Sequence, residues 1–164
     1  MSVASPTLNG MTDDDRPRCP WPGDDPEYRR YHDEEWGRPL HGDRPLFEKL
    51  ALEGFQAGLS WITILRKRPR FREVFVGFDP AIVGDFEEDD IARLLGDAGI
   101  VRNRAKIEAT IGNARIVREL AEGELDALMW SFAPAPAPDG RIRPRTMADV
   151  PAVTPESEAM SKAL

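Results

Sequence analysis

Cysteine and histidine are scarce in this sequence, whose 164 residues include one cysteine and two histidines. A single cysteine excludes an internal disulfide and is typical of a protein kept in a reducing cytoplasm. Three such side chains also cannot supply the four ligands of a structural Cys/His zinc site. Disulfide-rich and zinc-finger classes are therefore excluded.

Long apolar runs are missing as well. The most apolar stretch, residues 61–65, is far too short to cross a bilayer, and no basic segment followed by an apolar core opens the chain. With 41% hydrophobic and 31% charged residues, the composition is that of an ordinary globular domain. We expect one domain, located in the cytoplasm, with no membrane partner.

Excess positive charge is absent, since the net charge is −7. This counts against binding to duplex DNA, which depends largely on phosphate neutralisation. The basic residues nevertheless cluster at positions 66–72, 102–106 and 141–145, whereas acidic residues gather at 13–15 and 85–90. Local basic patches can steer a polyanion, although ordinary solvated surface charge explains any single cluster equally well.

Residues 53–61, with the sequence EGFQAGLSW, place polar groups inside an otherwise apolar segment. The apolar spacing before them predicts one helix over residues 45–66, in which Glu53, Gln56 and Ser60 share a face. Helix-interior glycines such as Gly54 and Gly58 indicate close approach by a ligand or another backbone, or a bend in the helix. The run therefore predicts a pocket for a flat, hydrogen-bonding ligand. The alternative is a solvated face carrying a routine Lys49–Glu53 pair.

The remaining local signals also predict helices. We expect a short helix near residues 26–35, another beginning at Asp79-Pro80, and one over residues 89–98 that ends at a left-handed Gly99. A further helix begins at or near Asn103, and the pair forms either a helix-hairpin-helix or a plain αα-hairpin. Backbone N–H groups at such a turn can hold a DNA phosphate.

The ends of the chain differ from its centre. Residues 1–18 have no hydrophobic periodicity and are expected to be a disordered extension. Residues 133–153 begin with alternating Ala and Pro, which predicts a stiff extended loop. Thr154, Pro155 and Glu156 provide the capping pattern of a helix over residues 154–164, which we expect to be cut short at Leu164.

An ordered set of motifs runs through the chain: Cys19-Pro20-Trp21, Tyr28, then residues 31–37, 53–61, 97–107, 111–114 and 130–132. This set resembles the constitutive type of 3-methyladenine DNA glycosylase from about Arg18 to Leu164. The resemblance implies an all-α fold of the helix-hairpin-helix glycosylase superfamily. Residues 19–43 would form a pocket and half of a zinc-binding subdomain, and residues 44–132 the helical core, with the hairpin near 89–118.

The resemblance also implies the activity and the site. It implies monofunctional excision of 3-methyladenine from double-stranded, alkylated DNA, and we expect a monomer. Glu53 is assigned to base recognition, in a pocket lined by Tyr31 and Trp61. Trp21 and Tyr28 are further aromatic candidates for stacking on a cationic purine, whereas Trp36 and Trp130 are expected in the core. Contacts to the DNA backbone are expected from Gly99, Val101, Arg102, Asn103 and Lys106.

Cys19 and His32 are residue types that bind zinc, but the chain lacks the four Cys and His ligands of a structural site. Cys19 and His32 correspond to two ligands of a structural zinc in that family, whose other two ligands lie beyond a helix like that of residues 154–164. We therefore expect an incomplete metal site and substoichiometric zinc in this chain.

Two rival functions stay open. The first is a shortened helix-hairpin-helix module that binds DNA without releasing a base. The second is a sugar hydrolase using carboxylates among Asp33, Glu34 and Glu35. Adjacent helical residues point in different directions, which disfavours the second; we expect these three side chains to be solvated.

Overall fold

The computed structural model describes residues 18–135 and 149–164, and these residues form helices and no strand. The all-α expectation is therefore confirmed for the described ranges. Most of the predicted extension 1–18 and much of the predicted loop 133–153 lie outside them. The helices are α1 (Pro26–Glu34), α2 (Asp43–Gln56), α3 (Trp61–Val74), a 3₁₀ turn (Val76–Phe78), α4 (Pro80–Val83), α5 (Glu88–Gly96), α6 (Arg104–Val117), α7 (Glu124–Ser131) and α8 (Pro155–Ala163).

Helix α2 lies at the centre and packs against α3, α6 and α7. Its buried face contributes to an aromatic core whose largest fully buried members come from α2, α3 and the segment that follows α3: Phe47, Phe55, Phe71, Phe75 and Phe78. The rings of Phe55 and Phe71 are 4.6 Å apart, within the favourable range for aromatic pairs. This core fixes α2 and therefore the side chains on its opposite face.

Local capping sets several helix starts where the sequence predicts them. The Asp25 carboxylate accepts hydrogen bonds from the backbone N–H of Glu27 and Tyr28, and the Asn103 side chain accepts one from Lys106 N–H. Thr154 caps α8 and exchanges hydrogen bonds with Ser157. Each cap satisfies an N–H group that the first helical turn leaves without a partner.

The predicted single helix over residues 45–66 is wrong. α2 ends at Gln56 and α3 begins at Trp61, because Gly58 adopts a φ of +80° that no helix contains. Ser60 therefore does not share a helical face with Glu53 and Gln56. Its hydroxyl lies 2.8 Å from the Thr63 hydroxyl at the start of α3.

The α5–α6 connection differs from the expectation in two details. α5 ends at Gly96 rather than at Ala98, and Gly99 is not left-handed. Glycine is still needed there, because a Cβ atom would lie 2.6 Å from Arg70 Cγ and 2.9 Å from Asp97 Oδ1. Close side-chain approach, not backbone conformation, explains this residue.

Membrane crossing can be addressed for the same ranges. No helix in the described part of the chain is both long enough and apolar enough to span a bilayer.

Candidate active site

An open groove of about 1080 Å³ is bounded by α1, the segment after it, and parts of α2, α3, α7 and α8. The five residues predicted for the base pocket all contribute to its lining: Trp21, Tyr28, Tyr31, Glu53 and Trp61. The groove thus joins a segment upstream of α2 to the polar stripe on α2, as the sequence motifs imply.

Aromatic rings form one wall of the groove. The ring of Trp21 lies edge-on to Tyr28 at 4.8 Å, and Tyr31 lies 5.6 Å from Trp61. Tyr31 and Trp61 are each more than nine-tenths buried, so packing holds their rings in place. Burial, assisted by the neighbouring Tyr31 phenol, raises the pKa of Tyr28 and keeps that hydroxyl protonated at neutral pH.

Glu53 lies beside this wall and is paired with a lysine. The ammonium of Lys49 is 2.8 Å from Glu53 Oε1 and donates a hydrogen bond to the Tyr31 hydroxyl at 3.2 Å. It also sits 3.9 Å from the centroid of the Trp61 ring. The Lys49–Glu53 i, i+4 pair therefore lies within the predicted pocket, and the two interpretations of this segment do not exclude each other. A carboxylate and an aromatic face converge on one position that holds a positive charge.

The groove contains two further ion pairs. Arg68 donates two hydrogen bonds to the Glu35 carboxylate, at 2.5 and 2.8 Å, and Arg72 contacts Glu48 at 2.7 Å. The Arg68 guanidinium lowers the pKa of Glu35, so this carboxylate is ionised at neutral pH. Sequence reasoning missed these groove positions because their partners are 24 and 33 residues away.

The expectation that Asp33, Glu34 and Glu35 are all solvated is wrong in part. Glu34 and Glu35 are exposed, as expected, whereas the Asp33 side chain is only 19% exposed and accepts hydrogen bonds from Arg18 and His32. Since Glu35 is held by Arg68, two of the three carboxylates are committed to ion pairs. This arrangement does not leave a pair to flank a glycosidic bond in a sugar hydrolase.

Trp36 and Trp130 were expected in the core, and this expectation is wrong. Trp36 is 49% exposed, Trp130 is 38% exposed, and both line the groove. Trp130 donates its indole N–H to the Leu40 carbonyl at 3.0 Å and stacks on His41. A tryptophan at the edge of a groove can hydrogen-bond its indole N–H without being buried in the core.

Cys19 and His32 can be tested as metal ligands. His32 Nδ1 lies 2.9 Å from Asp33 Oδ1, while its buried Nε2 has no hydrogen-bond partner among the described residues. A carboxylate on one ring nitrogen and a vacant second nitrogen is the usual state of a metal-binding histidine. Cys19 is a free, partly buried thiol. Within the described ranges, however, no cluster of three or more possible ligands exists. His32 therefore has the surroundings of a metal ligand, and the described residues do not complete a site around it.

The predicted DNA-backbone residues surround the 97–103 connection. Gly99 N–H donates to Asp97 Oδ1, Asn103 N–H to the Val101 carbonyl, and Lys106 N–H to the Asn103 side chain. The Lys106 ammonium turns inward to the carbonyls of Phe55 and Ala57, at 2.8 and 2.6 Å. The Lys106 side chain therefore caps α2, and its contact with the DNA backbone stays a prediction.

Most of the basic cluster at positions 66–72 is also committed. Arg66 pairs with Asp25, Arg70 pairs with Asp97 at 2.7 Å, and Lys67 donates to the Ala98 carbonyl. Arg104 pairs with Glu88 in the same way. The third cluster, at 141–145, lies outside the described residues. The number of basic residues in the sequence therefore overstates how many basic side chains are available to bind a phosphate.

Known proteins resemble this chain in sequence and in fold. The model of the family "Methyladenine glycosylase" matches residues 21–164. DNA-3-methyladenine glycosylase 1 of Escherichia coli K12 is 46% identical over 149 residues, which cover 90% of this chain and 79% of that protein. A crystal structure of 3-methyladenine DNA glycosylase I superposes with a TM-score of 0.79 at 43% identity, covering 90% of this chain and 81% of the other.

A second solved structure adds a ligand. It is a variant of 3-methyladenine DNA glycosylase I in complex with 3-methyladenine, with a TM-score of 0.77 and 33% identity, covering 89% of this chain and 78% of the other. The family model spans residues 21–164, a range that contains helices α1 to α8. The chain therefore belongs to the methyladenine glycosylase family.

Proposed function

We propose that this protein is a DNA-3-methyladenine glycosylase that hydrolyses the N-glycosidic bond of 3-methyladenine in alkylated, double-stranded DNA. One observation carries the proposal: the Glu53 carboxylate and the Trp61 ring converge on a position that already accommodates a cation. Adenine methylated at N3 carries a formal positive charge in DNA. Relatives named for this activity, and one solved with the base bound, support the same assignment.

The reaction needs little help from an acid catalyst. The bond between the base nitrogen and sugar C1′ breaks with its electron pair moving to the base, which cancels the base's positive charge. Water bonds to C1′ and releases a proton. Because the leaving group is already activated, the protein's task is to extract the correct base from the stack and hold it. Selective binding of a cationic ring supplies the specificity.

Each groove residue has a role in that task. Tyr31 and Trp61 provide aromatic faces for the base, and Trp21 and Tyr28 extend the aromatic wall. Glu53 accepts a hydrogen bond from the base edge and balances its charge. The buried Trp61 indole N–H makes no hydrogen bond among the described residues, so it is a donor that a bound base can satisfy. No lysine nucleophile is included, and the enzyme is monofunctional.

The α5–α6 pair is proposed as a helix-hairpin-helix that holds the DNA backbone. Gly99, Asn103 and Lys106 shape the turn through their internal hydrogen bonds. The backbone N–H groups of Val101 and Arg102 make no hydrogen bond within the part of the chain that the structure describes. These two amides and the Arg102 side chain are the proposed phosphate contacts.

The remaining attributes complete the proposal. Cys19 and His32 are proposed as two ligands of a structural zinc, and the described residues alone do not complete that site. The His32 ring fits this role through its Asp33 hydrogen bond. The proposed form is a cytoplasmic monomer acting on duplex DNA.

The proposal is tested by single-turnover release of 3-methyladenine from methylated duplex DNA. Glu53→Gln keeps the size of the side chain and removes its charge. We expect release at subsaturating enzyme to fall about 10- to 100-fold, the worth of one charge-assisted hydrogen bond to the extracted base. The matched control is Glu122→Gln, since Glu122 is exposed and does not line the groove.

Three results would each contradict part of the proposal. If folded wild-type protein bound methylated DNA but released no base, the shortened DNA-binding module would be the correct alternative. If release occurred and Glu53→Gln left it unchanged, Glu53 would not recognise the base. An enzyme–DNA adduct trapped by borohydride would contradict the monofunctional assignment.

A further inference from the structure

Lys49 occupies the centre of the proposed base pocket. Its ammonium contacts the Glu53 carboxylate at 2.8 Å, the Tyr31 hydroxyl at 3.2 Å and the Trp61 ring face at 3.9 Å. It also lies 5.7 Å from the centroid of the Tyr31 ring. Every one of these partners is a group that the proposed function assigns to the methylated base.

A cationic purine would need the same environment that Lys49 now uses. A positive charge is stabilised by an aromatic face and by a carboxylate that accepts its hydrogen bond. The Lys49 ammonium stands in for the charge of the base. A base ring placed on Trp61 beside Glu53 cannot share that space with the ammonium.

We propose that Lys49 is a built-in competing cation, which fills the base position of the empty enzyme and has to be displaced before a base binds. This inference rests on the proposed function of the groove. Lys49 weakens base binding because it must first be displaced. It does not contact the substrate in the reacting complex.

Displacement is feasible because Lys49 is weakly held. Its side chain is 38% exposed, and that of Glu53 is 46% exposed, so water screens their interaction. A lysine ammonium on a flexible stem can move to solvent while its aliphatic part stays on the helix. By contrast, Arg68 in the same groove is 16% exposed and holds Glu35 with two hydrogen bonds.

The exchange favours damaged bases. When a cationic base displaces Lys49, Glu53 loses one positive partner and gains another. When an undamaged, neutral base does so, Glu53 is left without a counter-charge. Lys49 therefore disfavours normal bases, which greatly outnumber damaged ones in DNA.

The test measures binding of free 3-methyladenine and free adenine by quenching of tryptophan fluorescence. Lys49→Met removes the charge and keeps both side-chain length and helix propensity. We expect Lys49→Met to bind both bases about 3- to 10-fold more tightly, from loss of a screened ion pair and a cation–π contact. Lys49→Gln should change affinity in the same direction. The matched control Lys162→Met should stay within about twofold of wild type, because Lys162 is exposed and does not line the groove.

The sign of the change decides the outcome. A lysine that only supports the fold, or one that contacts the bound base, would give weaker binding when replaced. Equal or weaker binding by both Lys49→Met and Lys49→Gln would overturn the proposal. Added salt should tighten adenine binding by the wild type, because it screens the Lys49–Glu53 pair, but not by Lys49→Met.

The assay separates this inference from the proposed function. If the wild type binds 3-methyladenine and releases it from DNA while Lys49→Met binds no more tightly, only the role of Lys49 is wrong. If the folded wild type neither binds nor releases the base, the proposed function itself fails.

Discussion

The groove and the α5–α6 connection each contain a cation that is fixed by its partners and a cation that is available to a ligand. In the groove, Arg68 is held by Glu35, whereas Lys49 sits on Glu53 and Trp61 and is partly exposed. At the connection, Lys106 is held by the carbonyls of Phe55 and Ala57. Arg102 is exposed and has no ion-pair partner among the described residues.

The difference between these cations follows from their partners and not from their positions in the sequence. Arg68 and Lys106 satisfy groups that would otherwise lie partly buried without a partner, so replacing them should destabilise the fold. Lys49 and Arg102 have partners that a ligand can replace, or none at all. Their replacement should alter binding and leave stability nearly unchanged.

The largest effect on stability is expected for Arg68→Met. The substitution leaves the Glu35 carboxylate without its two hydrogen bonds, and we expect a loss of about 1–2 kcal/mol in the free energy of unfolding. The loss is smaller than for a fully buried pair because Glu35 stays 43% exposed. Lys49→Met is the comparison and should change stability by less than about 0.5 kcal/mol. Urea denaturation of both variants measures the difference.

The pH dependence sharpens this comparison. The pKa of Glu35 is lowered below its usual 4.5 in the folded protein, chiefly by the hydrogen bonds from Arg68. The stabilisation is therefore complete above about pH 4.5 and is lost as the pH falls through the folded pKa. The difference in unfolding free energy between wild type and Arg68→Met should be largest at pH 7 and smaller at pH 3. A difference that stayed constant would show that packing, not charge, makes Arg68 important.

A somewhat smaller effect is expected for Lys106→Met. The ammonium donates to two carbonyls at the end of α2, where a cation is also favoured by the helix dipole. We expect a loss of about 1 kcal/mol in unfolding free energy. Arg102→Met, measured in the same way, should cost almost nothing. Equal losses in the two variants would refute the distinction between fixed and available cations at the connection.

The smallest effect on stability, and the clearest on DNA affinity, is expected for Arg102→Met. Loss of one phosphate contact should reduce the slope of log K against log salt by about one and weaken binding to all sequences alike. Fluorescence anisotropy with an abasic duplex at several salt concentrations measures the slope. Lys162→Met, which removes a charge on α8, serves as the control. An unchanged slope for Arg102→Met would remove this residue from the DNA-contacting surface.

The parts of this fold that follow from short-range rules could be predicted from the sequence. The caps at Asn103 and Thr154 and the helix start at Asp79-Pro80 depend only on neighbouring residues, and all three are confirmed. The break between α2 and α3 was missed even though Gly58 causes it. A glycine in an apolar periodic run is equally compatible with a close helix contact, and the sequence pattern does not distinguish the two.

The residues of the site could likewise be predicted from the sequence only in part. The motif order identifies Glu53, Tyr31 and Trp61, and these residues do line one groove. The position of Lys49 over Trp61 was not predictable, because it depends on how α3 turns back after Gly58. The predicted core positions of Trp36 and Trp130 were wrong for a related reason. A large aromatic residue is equally suited to a core and to the wall of a groove.

A crystal structure of the protein with 3-methyladenine would test the central claim most directly. The account predicts the base on the Trp61 and Tyr31 rings, its edge within hydrogen-bonding distance of the Glu53 carboxylate, and the Lys49 ammonium displaced toward solvent. A base bound elsewhere, or a base on Trp61 with the Lys49–Glu53 contact still at its 2.8 Å separation, would contradict it.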